Sequence, residues 1–406
     1  MTSHGPKFEI PQEFASQLRY REGSVDQKND EELLRGLTEH VPVTSEKNIW
    51  AFWDKGIQCL PAWCRRNICD WMRICSGTGW TVRVLDVIPG SPNHFLKFLP
   101  KDMLPSAIVE DEMTGPYTGA HSSDLLSGGL LYLFGGTYMD VGCILLRSLD
   151  DIAWDELEDS SSAYRIAVPL AYGQTAANHF VMSRKGDPFI KRWHELWIHL
   201  WKGRKDHHGL FDNPLLSNIP ALSTYDPVKS AKFSTLGVTM EPREFMEYIG
   251  QVLAWQRLTL LEDPGDADGF NGAEYWQKHV FAFDSHDECF GLESCVGFKG
   301  ETGLKVLTTS MADTATDEYQ TAYRAIWRTL TGSSMQKVSH YKGMTQDPCL
   351  GTLLDMPEHE GKDAAAGTFA ELLRFGAVHF QQTRKIEQVE TNPPPQIFKK
   401  GLYEVF

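Results

Sequence analysis

A strand, a helix and a second strand follow one another near the start of this chain, and that order constrains the fold more than any other feature. Residues 48–53 are an apolar run that ends at a charged turn, and residues 80–86 alternate in the manner of a strand. Residues 61–74 carry apolar side chains at helical spacing behind a proline. This order predicts an α/β fold with a mostly parallel sheet, and such sheets bind ligands at the carboxyl ends of their strands.

The length of 406 residues predicts one large domain with additions at both ends, because single hydrophobic cores stop growing at roughly 250–300 residues. Residues 1–45 are polar with one helical stretch, and we interpret them as a lead-in. Residues 46–345 are predicted to form the main domain. Residues 346–406 are predicted to hold a last helix, near 364–374, and a tail with three consecutive prolines.

Composition limits the partners and the compartment. The net charge of −15 argues against a nucleic-acid or anionic-membrane partner, because such partners are met by clustered Lys and Arg. The eight cysteines include no Cys-x-x-Cys pair, which favours reduced thiols. The N-terminus lacks signal-peptide character, and the most apolar stretch, 125–146, is interrupted by Asp140 and by glycine pairs. We therefore expect a cytoplasmic protein with no integral membrane segment.

Two acidic residues in an otherwise apolar stretch are the first candidates for chemistry. The pattern predicts a helix over 121–134 that opens with Ser123 and Asp124, then a turn at two glycines, then a strand over 137–146 that carries Asp140. A carboxylate among apolar side chains is costly to bury unless a cation or a hydrogen-bond donor meets it, which indicates a ligand or a metal. The alternative is that both aspartates cap local backbone N–H groups.

This segment resembles glycosyltransferase family 32 and the related capsular polysaccharide synthesis family. Both carry a Ser-Asp helix start, then Tyr-Gly-Gly, then a strand with an acidic DxD-type motif. Residues 49–53 stand where those families place their first strand, and residues 178–180, Asn-His-Phe, with 186–189, Gly-Asp-Pro-Phe, are similar to a later segment. The resemblance covers residues 47–200. Residues 337–342, Lys-Val-Ser-His-Tyr-Lys, resemble in part the C-terminal Lys/His motif.

The resemblance implies a GT-A-type, Rossmann-like fold and a nucleotide-sugar donor, which we expect to be a UDP-sugar. It implies three catalytic candidates. Asp124 would contact the sugar hydroxyls, Asp140 would hold the ribose and a Mn²⁺ or Mg²⁺ ion near the diphosphate, and the Asn178 amide would point into the sugar site. The end of the first strand would flank the base by aromatic stacking, unless it is a plain core strand. The other donor-side candidates are Ala51, Phe52, Trp53, Ser123, Ser127, Tyr138, Gly142, Lys337, His340 and Lys342.

Two positions depart from the family patterns. Ser127 stands where family 32 often has an Arg that would neutralise phosphate charge, and Gly142 stands where the second acid of the DxD motif belongs. With one acid left, we expect the protein to hold the ion weakly and to gain it together with the donor diphosphate. Lys337, His340 and Lys342 are the alternative charge-neutralising groups, unless they form a solvated turn.

The expected function is transfer of a sugar from a nucleotide sugar to a hydroxyl acceptor, with retention of the anomeric configuration. We expect the acceptor to be a small molecule such as a natural product, and a glycan or protein acceptor stays open. Two other classes also stay open. One is a catalytically silent protein that binds sugar nucleotides or acts as a scaffold, which the two departures favour. The other is a metal-dependent hydrolase of phosphate esters.

A zinc protease site is disfavoured. His194 and His199 are one residue too far apart for the His-Glu-x-x-His motif, so they would not share a helix face. The tryptophans in the same segment recur every four residues, which predicts the buried stripe of a helix. They are Trp193, Trp197 and Trp201.

Overall fold

The computed structural model describes residues 6–22, 26, 28–171, 175–219, 239–340, 345, 347–391, 394 and 396–406. Its strands are β1 (Leu18–Tyr20), β2 (Asn48–Phe52), β3 (Thr81–Leu85), β4 (Gly136–Met139), β5 (Cys143–Leu145), β6 (Ile166–Ala171), β7 (Thr175–Ala176), β8 (Phe180–Ser183), β9 (Leu261–Glu262), β10 (Val280–Asp284), β11 (Met335–Lys337), β12 (Phe380–Gln382) and β13 (Phe398–Lys399).

The helices of the N-terminal half are α1 (Asp30–Gly36), α2 (Ala62–Ile74), α3 (Ser106–Val109), α4 (Thr118–Phe134), α5 (Asp155–Glu158), α6 (Pro188–Leu200) and α7 (Pro214–Ser217). Those of the C-terminal half are α8 (Pro242–Tyr248), α9 (Gly250–Leu258), α10 (Gly272–His279), α11 (Ser285–Cys289), α12 (Gly291–Cys295), α13 (Gly300–Thr308), α14 (Asp317–Gly332), α15 (Leu350–Leu354) and α16 (Phe369–His379).

A seven-stranded mixed sheet forms the centre, in the order β10-β6-β8-β4-β2-β3 with β7 attached to β6. Strand β2 is parallel to β3 and β4, and β6 is parallel to β10. Strand β8 runs antiparallel to both of its neighbours, β4 and β6. Since β8 alone is reversed between them, β3, β2, β4, β6 and β10 all point the same way. The predicted α/β fold with a mostly parallel sheet is confirmed, and it is the architecture expected of a GT-A-type fold.

Alternation along the central strands buries both faces of this sheet. Ile49 and Ala51 of β2 join a buried cluster with α2, α14 and α16, whereas Trp50 and Phe52 join a second cluster with α4, α6 and α9. Successive side chains of a strand point to opposite faces, so this division follows from the backbone. Because helices cover both faces, β2 is apolar at every position from Ile49 to Phe52. Full burial of one such side chain stabilises the fold by roughly 1.5–3 kcal/mol.

Helix α6 confirms the predicted tryptophan stripe. Asp187 caps its first turn by accepting two backbone N–H hydrogen bonds at 2.9 and 3.0 Å. His194 Nε2 lies 2.9 Å from the Met103 carbonyl oxygen, whereas the ring of His199 stacks on Tyr403. These two histidines therefore do not form a shared site. The buried stripe consists of Trp193, Trp197 and Trp201.

The strand predicted over 137–146 is interrupted in its middle. Strand β4 ends before Asp140, and β5 leaves the central sheet to pair antiparallel with β11. The Cys143 N–H donates to the Asp140 carbonyl at 3.1 Å, which closes a tight turn between the two strands. The Asp140 N–H donates to the His179 carbonyl at 3.0 Å. Asp140 therefore lies in a turn at the edge of the sheet, where 37% of its side chain is exposed.

The helix predicted over 121–134 begins earlier, at Thr118, which changes the position of the two polar residues that were expected to open it. Ser123 and Asp124 lie in the second turn of α4. The N-cap residue is Tyr117, and its side chain makes no capping hydrogen bond. The sequence therefore has no capping signal at the true start. An aspartate this far inside a helix does not cap it, so the capping alternative for Asp124 is wrong.

Two other predicted helices also differ. The pattern of residues 244–258 predicts one helix, but the structure has two, α8 and α9, which meet at Ile249. The last helix is α16, five residues beyond the predicted 364–374, because Lys362–Ala364 forms a separate 3₁₀ turn after Gly361, whose φ is 76°. Across the described residues, none of the helices combines the length and apolar composition that crossing a membrane requires.

Both ends of the chain pack on the main domain. Strand β1 pairs antiparallel with β12, so part of the predicted lead-in contacts the C-terminal region directly. Strand β13 pairs in parallel with β9. Leu18 and Leu37 belong to the same buried cluster as α2 and α16. The N-terminal addition and α16 are therefore joined to each other on the face of the sheet that carries α2, whereas the tail around β13 packs on the opposite face.

Candidate active site

A cleft of about 420 Å³ opens at the carboxyl edge of the parallel strands. The end of β2, the turn after β4, the first half of α4, the segment before β8 and the end of β11 contribute to it. This is the edge at which α/β sheets bind ligands. The lining residues are Phe52, Trp53, Asp54, Pro116, Tyr117, Gly119, Ala120, Ser123, Asp124, Asp140, Val141, Gly142, Asn178, Tyr248, Ile249, Val252, Lys337, Ser339 and His340.

Two glycines explain why α4 and β4 bring their acids together. Gly135 and Gly136 have φ values of 70° and 100°, which residues with a side chain rarely adopt. A Cβ at Gly136 would lie 2.3 Å from the Asn48 carbonyl oxygen of β2. The chain therefore reverses tightly between the helix and the strand. Since α4 and β4 run in opposite directions from this turn, the first half of α4 returns to the edge where β4 ends, and Asp124 lies in the same cleft as Asp140.

Asp124 belongs to a hydrogen-bond network that links α4 to α9. The Asn178 amide donates to Asp124 Oδ1 at 3.0 Å and to Gln251 Oε1 at 2.8 Å. Gln251 Nε2 donates to the Asp124 carbonyl at 2.6 Å and to Ser127 Oγ at 2.9 Å. Gln251 is absent from the sequence-based candidates, although a polar side chain among the apolar positions of a predicted helix was the available signal. The predicted pair of Asp124 and Asn178 is in direct contact.

The electrostatic surroundings of Asp124 oppose its ionisation. Burial raises the pKa of Asp124 well above its ordinary value, and the nearby Asp140 carboxylate raises it further. The Asn178 amide is the side-chain donor that meets the Asp124 carboxyl group in the described structure. A ligand with hydroxyl groups would supply further donors, so this carboxyl group is suited to bind a sugar.

Asp140 forms an ion pair with Lys337. Lys337 Nζ donates to Asp140 Oδ2 at 2.7 Å, and 11% of the Lys337 side chain is exposed. Burial alone would lower the pKa of Lys337, but the Asp140 carboxylate outweighs burial and the pKa is raised. Lys337 is therefore a fixed positive charge in the wall of the cleft. Two segments that are far apart in the sequence meet here.

The Ser339 hydroxyl fills the space that the second acid of a DxD motif would enter at Gly142. A Cβ at this position would lie 2.0 Å from Ser339 Oγ. No group of three or more His, Cys, Asp or Glu side chains within the described ranges is arranged to hold a metal ion. With one Asp140 oxygen engaged by Lys337, these residues do not fit a resident Mn²⁺ or Mg²⁺ ion. The expected assistance by a donor-bound ion stays a prediction.

The end of β2 forms an aromatic wall. Phe52 and Trp53 line the cleft, and the Trp53 indole N–H is buried with no hydrogen-bond partner among the described residues. Trp50 is fully buried and donates its indole N–H to the Gly135 carbonyl at 2.9 Å. Ala51 is buried on the opposite face of the sheet. Of these residues, Phe52 and Trp53 are the ones that line the space where a ligand would bind.

Other donor-side candidates take different positions. Tyr138 lies behind the cleft with its hydroxyl 2.8 Å from Ser123 Oγ, and burial raises the pKa of Tyr138, so the phenol stays protonated. Ser127 is likewise buried behind the cleft, in the Gln251 network. His340 lines the cleft, and Lys342 lies outside the described residues.

The far end of the cleft is aromatic and apolar. Tyr117 and Tyr248 pack edge to face with ring centroids 5.2 Å apart, and Ile249 and Val252 extend this surface. The break between α8 and α9 places Ile249 here. Asp54 also lines the cleft. It belongs to the charged turn that was predicted to end the first strand. The cleft therefore has a charged end beside the strands and an apolar end beside the helix break.

A larger cavity, of about 570 Å³, lies elsewhere. Residues of α6 and of the segment 102–106 line it, together with Tyr132 and Tyr403. Its walls do not include the carboxyl ends of the central strands. The smaller cleft is the better candidate because it gathers Asp124, Asp140 and Lys337 at that edge.

Comparisons with known proteins identify the family. A family profile described as "Capsular polysaccharide synthesis protein" matches residues 24–211, the range that contains Asp124, Asp140 and Asn178. The probable glycosyltransferase FCK3 of Fusarium pseudograminearum is 48% identical over 402 residues, which cover 98% of this chain and 100% of that protein. The chain belongs to the capsular polysaccharide synthesis family of glycosyltransferases.

Two further fungal relatives extend the match. The O-glycosyltransferase braB of Annulohypoxylon truncatum is 33% identical over 388 residues, 94% of this chain and 91% of the relative. The O-glycosyltransferase PaGT of Phomopsis amygdali is 35% identical over 390 residues, 94% of each protein. These matches extend well beyond residue 211. The chain is a glycosyltransferase, which decides against the silent scaffold and the phosphate-ester hydrolase.

Proposed function

We propose that this glycosyltransferase moves a sugar from a UDP-sugar to a hydroxyl group of a small natural product, with retention of the anomeric configuration. The observation that carries the proposal is the meeting of Asp124, Asp140 and Lys337 in one cleft at the carboxyl edge of the sheet. A nucleotide sugar consists of a base, a diphosphate and a sugar. The cleft offers an aromatic wall, a cation and hydrogen-bonding acids for these three parts.

The donor lies along the charged end of the cleft in this proposal. The base stacks on Phe52 or Trp53, the diphosphate lies beside Lys337, and the sugar hydroxyls donate to Asp124. Hydrogen bonds to an ionised carboxylate offset the cost of its burial, so donor binding favours the charged form of Asp124. Asn178 keeps that carboxyl group in position through the 3.0 Å contact.

Retention is carried over from the family resemblance. The transition state of glycosyl transfer is oxocarbenium-like, so a carboxylate near the anomeric carbon stabilises the developing positive charge. Asp124 takes that role in this proposal, with the sugar hydroxyls as its partners. The anomeric configuration of the product, read by NMR against that of the donor, tests this part separately.

The acceptor binds at the apolar end in this proposal. Tyr117, Tyr248, Ile249 and Val252 offer a surface suited to an apolar small molecule that carries a hydroxyl group. The printed names of two relatives, both O-glycosyltransferases, support a hydroxyl acceptor. All eight cysteines are free and six of them are buried, which supports a reducing, cytosolic setting.

A panel of nucleotide sugars tests the function. Each donor is incubated with and without a set of apolar hydroxyl-bearing small molecules, and both nucleoside diphosphate release and glycoside formation are measured. The expected result is acceptor-dependent release of UDP with one UDP-sugar preferred. Donor binding without turnover would contradict the proposal. Release of inorganic phosphate would also contradict it and would favour hydrolysis of phosphate esters.

A further inference from the structure

An ammonium group occupies the place beside Asp140 where a divalent cation is expected. Lys337 Nζ lies 2.7 Å from Asp140 Oδ2 and 3.4 Å from Ser339 Oγ. Lys337 is the last residue of β11 and pairs with Cys143 in the β5–β11 ladder. Since Lys337 lies in this ladder and the Asp140 carbonyl accepts from the Cys143 N–H at 3.1 Å, the ammonium is preorganised in the wall of the cleft.

Three small residues bring the Lys337 segment against the acid. A Cβ at Gly142 would lie 2.0 Å from Ser339 Oγ, and a Cβ at Gly351 would lie 3.0 Å from the Ser339 Cβ. The Val338 N–H also donates to the Gly142 carbonyl at 3.1 Å. The close packing of Ser339 on Gly142 is therefore part of the packing that positions Lys337 beside Asp140.

We propose that the Lys337 ammonium takes the electrostatic role of a divalent cation, so that this enzyme transfers its sugar without a bound metal ion. The inference rests on the proposed nucleotide-sugar function, because it concerns the diphosphate of that donor. A lysine ammonium has three N–H donors. One is directed to Asp140 and a second to Ser339 Oγ, and the remaining N–H binds a phosphate oxygen when the donor enters the cleft.

The transfer step leaves a charge that Lys337 can offset. The bond between C1 of the sugar and the phosphate oxygen breaks, and its electron pair departs on the diphosphate. The acceptor oxygen forms a bond to C1, and the hydroxyl proton is released to the departing diphosphate. A fixed cation beside the leaving group lowers this barrier without reorganisation. Lys337 donates hydrogen bonds throughout and keeps its own proton.

A fixed ammonium differs from a metal ion in a way that can be measured. Chelation cannot remove it, and a single substitution can. A divalent ion bound to Asp140 would lie close to the Lys337 ammonium, and the two positive charges would repel each other. Added Mn²⁺ should therefore bind the free enzyme poorly and should not raise its turnover.

The first experiment uses the unmodified full chain. Turnover is measured at saturating donor in excess EDTA, and again after Mn²⁺ or Mg²⁺ is restored. UDP binding is measured by calorimetry in EDTA, and Mn²⁺ alone is titrated separately. We expect equal turnover within about twofold in all conditions and UDP binding in EDTA. Loss of turnover in EDTA with recovery on adding Mn²⁺ would overturn the inference.

The second experiment removes the charge. Lys337→Met should lower turnover by about 100-fold or more, the cost of losing one preorganised transition-state contact, and should weaken UDP binding in EDTA. Lys337→Arg keeps the charge and should retain more activity than Lys337→Met. The matched control is Lys47→Met, because Lys47 pairs with Asp150 at 3.0 Å just before β2, at the opposite edge of the sheet.

The control should keep turnover within about twofold of the parent, and melting curves show whether each variant folds. A folded Lys337→Met enzyme with parental turnover would contradict the inference.

Different results would overturn the proposed function and the proposed role of Lys337. If no donor yields UDP with or without metal, the proposed function falls. If transfer occurs but requires Mn²⁺, the function stands and the role of Lys337 falls.

Discussion

The buried cluster of Asp363, Arg66 and Arg374 and the Asp140–Lys337 pair in the cleft both join carboxylates to cations. They differ in how completely the protein satisfies the hydrogen-bonding capacity of the carboxylate. Asp363 accepts from Arg66 Nε at 2.8 Å and from Arg374 Nη2 at 2.7 Å, and 2% of its side chain is exposed. Among the residues that the structure describes, Asp140 meets one cation, Lys337, and it keeps 37% of its side chain exposed. Charges that stabilise the fold have their hydrogen-bonding capacity filled by protein groups, whereas the cleft leaves capacity for a ligand.

Two carboxyl groups, Asp363 in the cluster and Asp124 in the cleft, have pKa values shifted in opposite directions. Burial would raise the pKa of Asp363, but Arg66 and Arg374 outweigh it, so this pKa is lowered. Burial raises the pKa of Asp124, and Asp140 adds to the shift. An ionised Asp363 stabilises the fold, whereas an ionised Asp124 costs stability until a ligand meets it. A raised carboxyl pKa in a cleft is therefore a sign of a site held ready for a ligand.

The largest expected effect removes the cation of the buried cluster. Arg374→Met leaves Asp70 and Asp363 without their shared partner, and removal of one member of a buried ion pair costs about 3–5 kcal/mol. Denaturant unfolding should show this loss, while turnover per folded molecule should stay within about twofold. Lys305→Met, which breaks an exposed pair with Glu318, is the control and should match the parent. An unchanged unfolding free energy for Arg374→Met would contradict the claim that the buried cluster, unlike the charge pair in the cleft, stabilises the fold.

Asp140→Asn should have the opposite effect to Arg374→Met, because turnover is lost and stability is kept. Turnover should fall by about 100- to 1000-fold, because the amide no longer orients Lys337 as an ion pair. The amide oxygen can still accept from Lys337, so the melting temperature should change little. Steady-state kinetics and calorimetry measure the two quantities. Asp150→Asn, at the Lys47 pair, is the control and should retain turnover. A fully active Asp140→Asn enzyme would refute this site.

Gln251→Ala should have a smaller effect on turnover. Gln251 donates to the Asp124 carbonyl and to Ser127 Oγ, so it positions Asp124 without reaching a ligand. We expect about a tenfold loss of kcat/KM for the donor, or about 1.4 kcal/mol, with acceptor KM unchanged. Gln256→Ala on the same helix is the control. Equal losses for donor and acceptor would assign Gln251 to the general stability of α9.

The smallest expected effect is a change in the slope of stability against pH. The pKa of Asp124 is raised on folding, so its contribution to stability is present below its unfolded pKa of about 4 and is lost as pH rises through the folded pKa. Asp124→Asn should remove that loss and be at least as stable as the parent at neutral pH. Asp363 has a lowered pKa, so its contribution is present at neutral pH and is lost below about pH 4.

Melting temperatures of the parent, Asp124→Asn and Asp363→Asn between about pH 2 and pH 8 measure both slopes. Asp363→Asn should be the less stable variant at neutral pH, with the gap narrowing in acid. If Asp124→Asn destabilises the protein at neutral pH by as much as Asp363→Asn does, the cleft carboxyl group is structural and the comparison fails.

Local patterns carried the prediction of the fold class and of the two acids. The order of β2, α2 and β3 and the helix–glycine–strand segment around Asp124 and Asp140 were readable because the pattern of neighbouring residues marks each element. Boundaries were less certain where no side chain marks them. The start of α4 has no side-chain capping hydrogen bond, and neither has the start of α9 at Ile249.

The sequence by itself determined the α/β class and the pairing of one acidic helix turn with one acidic strand end, because periodicity and glycine turns are properties of neighbouring residues. The tertiary structure alone decided that Lys337 meets Asp140 across 197 positions and that Gln251 supports Asp124 across 127. It also decided that Ser339 fills the space beside Gly142. Such contacts depend on how distant elements pack, and pairing between distant segments leaves no local period in the sequence.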